Sequence, residues 1–120
     1  MSTSGTILIA DDEPSIVEFM TDFLSDEGYQ VQYATTSASA LAAILAAPPD
    51  LAFMDLTFDG LSGLDVIRAV RTHGIDIPVV IMTAATTDEQ SLEAHGATAY
   101  LPKPFDLDDL LACVGQYVRV

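Results

Sequence analysis

Five short apolar runs, rich in β-forming residues, are spaced along the chain and predict five strands. They cover residues 6–10, 30–34, 50–54, 77–82 and 97–101. The first, third and fourth contain the uninterrupted apolar stretches ILIA, LAFM and VVIM. Such stretches are typical of strands that are covered on both faces, as in a parallel sheet.

Helical patterns lie between and after these runs. Pro14 fits the first position of a helix that follows the first strand. Ser37 and Ser62 are suited to cap the second and third helices, and Asp106 is suited to cap the last one. A short, weakly amphipathic pattern around residues 88–95 predicts a further helix. Five strand and helix pairs in alternation predict an α/β fold with a parallel sheet and right-handed crossovers.

Length and composition predict one domain over residues 1–120, since half of the residues are hydrophobic. The 18 acidic and 4 basic residues give a net charge of -14. A chain this acidic repels phosphates, so we expect no direct nucleic acid binding and no membrane association. The N-terminal residues lack a signal peptide pattern and no apolar stretch is long enough to span a bilayer, which predicts a cytoplasmic protein. The single cysteine, Cys113, is expected to be a small core residue.

Polar residues stand at the carboxyl ends of the predicted strands, where ligand sites form in such sheets. Asp11 and Asp12 follow the first strand, Asp55 the third, Thr83 the fourth, and Lys103 comes just after the fifth. If the first and third strands are neighbours, three carboxylates converge, and they cannot all stay ionised at low cost. Mg²⁺ would resolve this conflict, because it prefers oxygen ligands. The hydroxyl of Thr83 and the ammonium of Lys103, opposite the metal, would bind a phosphoryl group.

With these residues, the chain resembles over its whole length the receiver domain of two-component response regulators, including the chemotaxis regulators. The resemblance implies a flavodoxin-like, doubly wound, three-layer sandwich. Its five-stranded parallel sheet would have the order 2-1-3-4-5, with helices on both faces. The matching residues are Asp11, Asp12, Asp55, Thr83 with Ala84, Tyr100, and the run Lys103-Pro104-Phe105.

The resemblance also implies a chemistry for the acidic residues. Asp55 would be the nucleophile and would become an aspartyl phosphate. Asp12, Asp55 and the main-chain carbonyl of Thr57 would bind Mg²⁺ directly, and Asp11 would act mainly through water. The chain would thus be a phosphoprotein that catalyses its own Mg²⁺-dependent phosphorylation and dephosphorylation.

The remaining matches imply a conformational switch. Lys103 would pair with one phosphoryl oxygen, and Thr83 would donate to another and shift. Tyr100 would then swing inward and change the surface that a partner contacts. The Lys103-Pro104 peptide bond is expected to be cis. The implied partners are a sensor histidine kinase or a phosphotransfer protein, and a downstream effector protein or a tethered output domain.

Three features depart from or vary within the family pattern. Asp59 stands where the family usually has proline, and it is expected to alter metal affinity or phosphate lifetime. The stretch between Thr83 and Gly96 looks short, so the helix there should be short or partly irregular. Thr57 and Ala85 occupy variable positions that tune how long the phosphate lasts.

Two other classes of function remain as alternatives. One is a non-phosphorylated pseudo-receiver that acts only as an interaction module, which the presence of Asp55, Asp12 and Lys103 disfavours. The other is a small enzyme of the same fold. A flavodoxin-type nucleotide site needs a loop rich in Ser, Thr and Gly after the first strand, where this chain has DDEPS. A phosphatase of the haloacid dehalogenase type would need a D-x-D motif, which ADDEP lacks.

Overall fold

Strands and helices alternate along the chain in the computed structural model, which describes residues 5–58, 61–83 and 94–118. The strands are β1 (Thr6–Ala10), β2 (Gln30–Ala34), β3 (Leu51–Asp55), β4 (Thr57–Phe58), β5 (Leu61–Ser62), β6 (Val79–Thr83) and β7 (Ala99–Pro102). The helices are α1 (Pro14–Asp26), α2 (Ser37–Ala46), α3 (Gly63–Thr72) and α4 (Leu107–Tyr117). The predicted helix at 88–95 lies outside the described residues except for its last two positions, and so do Asp59, Ala84 and Ala85.

Five of the strands form one parallel sheet in the order β2-β1-β3-β6-β7. Counted among the sheet strands alone, this is the order 2-1-3-4-5, so the predicted fold class is confirmed. β4 and β5 form a separate antiparallel pair of two residues each. The sheet order places β1 and β3 side by side and β6 next to β3, which brings the ends of the three strands together.

The predicted strand boundaries were right for the first two strands and wrong by one or two residues for the other three. Asp50, predicted to begin a strand, lies just before β3 and accepts a hydrogen bond from the Thr6 amide at 2.8 Å. At the other end, Asp55 and Thr83 are the last residues of β3 and β6. Their backbones pair with the neighbouring strands, Asp55 with Met82 and Thr83 with Pro102. Two site residues are therefore fixed by the sheet itself.

Two hydrophobic clusters cover the two faces of the sheet, and alternate residues of each strand enter them. On β1, Ile7 and Ile9 pack on the side of α1 and α4, whereas Leu8 packs on the side of α2 and α3. All three side chains are at most 1% exposed. Burial of such a side chain contributes about 1.5–3 kcal/mol. The prediction that this strand is covered on both faces is confirmed.

Among the helices that the structure describes in full, the starts were predicted correctly except at one serine. Pro14 is the first residue of α1. Ser62 and Asp106 cap α3 and α4, respectively, through their side chains. The cap of α2 is Thr36, whose hydroxyl accepts a hydrogen bond from the Ser39 amide at 3.1 Å. Ser37 was predicted as that cap, and this was wrong. The Ser39 hydroxyl lies within 3.3 Å of the Thr36 amide, so the two residues form a capping box that only this register allows.

Arg71 on α3 ties together the segments that lead into β6 and β7. Its guanidinium donates to the carbonyl oxygens of Ile75 and Ile77 at 3.0 and 2.7 Å, and to that of Gly96 at 3.1 and 2.9 Å. One of the four basic side chains thus has a structural role. Within the described residues there is no helix that is long and apolar enough to cross a membrane.

Candidate functional site

Three carboxylates meet at the carboxyl ends of β1 and β3. Asp11 and Asp12 directly follow β1, and Asp55 ends β3. Because the two strands pair in register from Ile7 with Leu51 to Ala10 with Met54, their ends lie together. One carboxylate oxygen from each acid lies within 4.8 Å of the other two. The convergence predicted from neighbouring strands is therefore present.

The three acids differ in their exposure. Asp11 is fully buried, Asp55 is half-buried, and Asp12 is exposed. Asp55 and Asp12 thus face the solvent side of the pocket, where a ligand can reach them, whereas Asp11 forms its floor. An unpaired carboxylate in the position of Asp11 would be costly, so its partners matter for the stability of the fold.

Both oxygens of Asp11 are engaged by neighbouring groups. Oδ1 accepts a hydrogen bond from the Glu13 amide at 2.9 Å, and Oδ2 accepts one from the Lys103 ammonium at 2.8 Å. Its own amide donates to the carbonyl of Ala34 at 3.0 Å. These contacts compensate the buried charge of Asp11 and hold it as the counter-ion of Lys103.

Lys103 bridges two of the acids. Its ammonium nitrogen lies 2.8 Å from Oδ2 of Asp11 and 3.7 Å from Oδ1 of Asp55. Burial by itself would lower the pKa of Lys103. The hydrogen bond to Asp11 and the charges of Asp11, Asp55 and Glu13 outweigh that effect and raise the pKa above its ordinary value. Lys103 is therefore a permanent cation beside the half-buried carboxylate.

The backbone fixes Lys103 and Thr83 relative to each other. The Lys103 amide donates to the carbonyl of Thr83 at 2.8 Å, and the Lys103-Pro104 peptide bond is cis. Thr83 is 4% exposed at the end of β6. Since β3 and β6 are paired, Thr83 stands one residue beyond the position opposite Asp55. The site thus presents a hydroxyl and an ammonium on adjoining strand ends.

Tyr100 lies on β7 opposite Ile81 of β6, two residues before the end of that strand. Its side chain is partly buried and packs against the hydrophobic cluster on the side of α2 and α3. Thr57 begins β4, two residues after Asp55, and its backbone pairs with that of Ser62. Both residues therefore lie on elements that continue directly from the pocket.

Two residues contribute to the site in ways that were not predicted. Gly63 opens α3 so close to the end of β3 that a Cβ there would clash with the carbonyl oxygen of Asp55. Its amide also donates to the carbonyl of Leu56 at 2.6 Å. Glu13 contributes to the charge around Lys103. A glycine immediately after a predicted cap, at Ser62, was the available signal for the close approach of α3.

The donor set suits a hard divalent cation. Three carboxylates share the pocket with one ammonium, and that ammonium hydrogen-bonds the most buried acid. The three acids outnumber this cation, and Asp12 and Asp55 are the two more accessible ones. Oxygen ligands with this charge are what Mg²⁺ prefers, and it commonly binds through one or two carboxylates. The residues present therefore fit the ion.

One protein family matches most of the chain, including the segments that carry the site. The family described as the response regulator receiver domain matches residues 7–115. The chain belongs to this family. Receiver domains of two-component response regulators use Mg²⁺ at their acidic pocket, and in this receiver Asp11, Asp12 and Asp55 form a cluster that could hold a metal ion.

Two regulatory proteins and one chemotaxis protein are among those similar to this chain. The transcriptional regulatory protein KdpE of Mycobacterium tuberculosis is 37% identical over 115 residues, which cover 94% of this chain and 50% of that protein. The response regulator MprA of Mycobacterium bovis is 38% identical over 118 residues, which cover 97% of this chain and 51% of that protein. This receiver thus spans about half the length of the curated relatives it matches. The chemotaxis protein CheY4 of Vibrio cholerae is 30% identical with a TM-score of 0.88, covering 95% of this chain and 98% of that chain.

Proposed function

We propose that this receiver accepts a phosphoryl group on Asp55 in a Mg²⁺-dependent reaction and that residues 1–120 act as one switching unit. The donor would be a histidine kinase or a phosphotransfer protein in the cytoplasm. The observation that carries the proposal is the position of Asp55. Its half-buried carboxylate ends β3 beside two further acids, with the Lys103 ammonium 3.7 Å from Oδ1. A carboxylate held beside a fixed cation is preorganised to receive an anionic group.

In the transfer step a carboxylate oxygen of Asp55 attacks phosphorus. A new O–P bond forms while the P–N bond to the donor histidine breaks, and the electron pair stays on the imidazole, which takes up a proton. The product is an acyl phosphate on Asp55. Because little covalent chemistry is required of the protein, positioning and charge neutralisation supply most of the rate.

Asp12, Asp55 and the main-chain carbonyl of Thr57 would hold Mg²⁺. Bound there, Mg²⁺ would offset the negative charge of the transferring phosphoryl group. Asp11 would contribute through water, because both of its oxygens already accept hydrogen bonds within the protein. The difference in exposure between Asp12 and Asp11 supports this division of roles.

Lys103 and Thr83 would contact the phosphoryl oxygens. The Lys103 ammonium makes its short contact with Asp11 and its longer one with Asp55, so it can hold Asp11 and bind a phosphoryl oxygen together. Thr83 would donate its hydroxyl to a second oxygen. Both residues would also act in the hydrolysis of the acyl phosphate, so that the receiver catalyses its own dephosphorylation.

The output would be a change of surface at β7. Movement of Thr83 toward the phosphoryl group would open space into which Tyr100 turns, and the altered surface would bind an effector protein or a tethered output domain. The charge of -14 argues against direct contact of this receiver with nucleic acid. Any DNA binding would belong to the partner or to the tethered domain.

The test is phosphorylation by a small donor. The protein is incubated with acetyl phosphate and Mg²⁺, and its intact mass is measured over time. We expect a single phosphate adduct in the wild type and none in Asp55→Asn. Asp65→Asn serves as the matched control, because Asp65 is an exposed carboxylate on α3. Retention of the adduct in Asp55→Asn, or its absence from a folded, Mg²⁺-binding wild type, would refute the proposal.

A further inference from the structure

One edge of the sheet is open along β2. Within the part of the chain that the structure describes, β2 pairs only with β1. The Gln30 amide donates to the carbonyl of Gly5 at 2.9 Å, and the Ala34 carbonyl accepts from the Asp11 amide at 3.0 Å. Since alternate residues of a strand point to the same side, the backbone groups of Val31 and Tyr33 point away from β1. They form a short row that another strand can pair with.

This edge lacks the usual protection against a further strand. Natural edge strands are commonly blunted by lysine, proline or inward-pointing charges. β2 has the sequence QVQYA, which contains none of these, whereas the opposite edge strand, β7, ends in Pro102. Tyr33 is 64% exposed on β2 although it is a large aromatic residue. An unprotected edge with an exposed aromatic ring indicates a binding surface.

A cavity of about 330 Å³ lies beside this edge, between α1 and Tyr33. Its volume falls in the range of small ligand sites, and its lining is mainly apolar. The residues of α1 that line it follow helical spacing, so they form one continuous stripe along the helix. These residues are Pro14, Val17, Glu18, Thr21 and Asp22.

Two acidic residues of this stripe bear on which occupant fits. Glu18 and Asp22 are exposed and lie one helical turn apart. Their Cβ atoms are therefore about 5–6 Å apart. Side chains two residues apart on a strand are separated by about 6.6–6.8 Å, which is close to this spacing.

The charges select the kind of strand that fits. A second copy of this chain would bring another net charge of -14 to the edge, so self-association is disfavoured. A basic segment is attracted instead. Arginine or lysine stems can lie along Val17 and the ring of Tyr33 while their charged ends reach Glu18 and Asp22.

We propose that the open edge of β2 binds an extended basic segment of a partner protein as an added strand. Two arginine or lysine side chains, two residues apart, contact Glu18 and Asp22. The backbone of the segment pairs with Val31 and Tyr33. This surface is distinct from the acidic pocket, and binding there does not require a phosphoryl group on Asp55.

The test uses a short, capped, fluorescein-labelled peptide of threonine and valine that carries two arginines at alternate positions. Binding is measured by fluorescence anisotropy at low salt. In the control peptide of equal composition the two arginines are adjacent, so they point to opposite faces of a strand. We expect the control to bind at least about tenfold more weakly, since only one arginine can meet the acids. Equal binding of both peptides would overturn the proposal.

Protein variants locate the site. Glu18→Gln with Asp22→Asn should weaken binding of the alternate-arginine peptide at least about tenfold. Asp65→Asn with Asp108→Asn removes the same charge from exposed positions on α3 and α4 and should leave binding nearly unchanged. All four residues are exposed, so folding is retained, which circular dichroism verifies. An equal loss in both double variants would mean unspecific attraction and would refute the proposal.

Amide hydrogen exchange measured by NMR tests strand addition itself. The Val31 and Tyr33 amides should become protected when the peptide binds, while the Gln32 amide, which faces β1, should change little. Peptide binding without this protection would overturn the added strand. Protection without peptide, together with a dimer in sedimentation, would identify a second copy as the occupant and equally overturn the proposal.

Discussion

The ammonium of Lys103 lies 2.8 Å from Oδ2 of Asp11, an acid whose side chain is fully buried. The same ammonium lies 3.7 Å from Asp55, so one cation compensates two acids at different depths. The cation thus makes its shorter contact with the most buried acid and its longer one with Asp55, the proposed phosphoacceptor.

Replacing the cation should destabilise the fold. Lys103→Met leaves the buried carboxylate of Asp11 without its partner, and we expect a loss of about 3 kcal/mol in the free energy of unfolding. The change is measured by urea denaturation. Arg68→Met is the control, because the Arg68–Asp65 pair is exposed and separated by 3.9 Å, so its loss should have little effect. Similar midpoints for both variants would show that the buried pair is not a stabilising element.

Removing the exposed carboxylate of Asp12 should stabilise the fold but weaken the proposed function. Asp12→Asn relieves repulsion among the three carboxylates, so without Mg²⁺ the variant should melt at a higher temperature than the wild type. The same change should weaken Mg²⁺ binding and phosphorylation together, because Asp12 would be a direct ligand. Melting curves with and without Mg²⁺, and a Mg²⁺ titration, measure both effects. If only stability changed, the acid would have no role in metal binding.

Gly63 gives a prediction about how the site is positioned. In Gly63→Ala the new methyl group meets the carbonyl oxygen of Asp55, and the resulting shift should cost about 1–3 kcal/mol and slow phosphorylation of Asp55. Gly115→Ala is a matched control in α4, where a Cβ meets nothing within 4 Å. That substitution should stabilise the helix by about 0.5–1 kcal/mol. Equal phosphorylation rates in Gly63→Ala and the wild type would contradict the expected displacement of Asp55.

Cys113 gives a prediction about pH. Burial raises the pKa of the Cys113 thiol from its usual 9.0 to about 11. The thiolate is the reactive form, so alkylation by iodoacetamide should be slow at pH 8 and should keep accelerating up to about pH 11. Protein unfolded in urea should instead level off above pH 9, where its thiol is ionised. A plateau near pH 9 in the folded protein would disprove the shielding.

The raised pKa of Cys113 also determines whether the stability of the fold rises or falls with pH. Because the folded-state pKa of Cys113 is raised above the unfolded value, the contribution of the thiol to stability is fully present below about pH 9. Above that pH the unfolded chain loses this proton first, and the contribution declines toward pH 11. Comparing Cys113→Ser with the wild type in this range isolates the effect from that of other groups.

Much of the architecture followed from local patterns. Continuous apolar runs such as ILIA predicted buried parallel strands, and Pro14 and Asp106 predicted helix starts, because each signal depends only on neighbouring residues. The sheet order came from the resemblance rather than from these patterns. The α2 start was misplaced by one residue, since Thr36 and Ser37 are both capping types and only Ser39, three residues after Thr36, decides between them.

The candidate site, too, was predictable from the sequence only in part. The types of residue at the strand ends predicted converging carboxylates, but the sequence could not say that Asp11 would be fully buried while Asp12 was exposed. The cation that compensates the buried Asp11, Lys103, is 92 residues away along the chain. The close approach of Gly63 to Asp55 and the open edge of β2 likewise depend on how distant segments meet in space, which no local pattern records.

The position of the polar residues at strand ends has a consequence for evolution. Strand interiors such as Ile7, Leu8 and Ile9 determine where the strand ends lie, and the acidic pocket is formed by residues at or just beyond those ends. Lineages can therefore exchange one apolar core residue for another of similar volume without altering the pocket. Divergence such as the 37% identity between this receiver and KdpE can therefore accumulate in the core without displacing the strand ends.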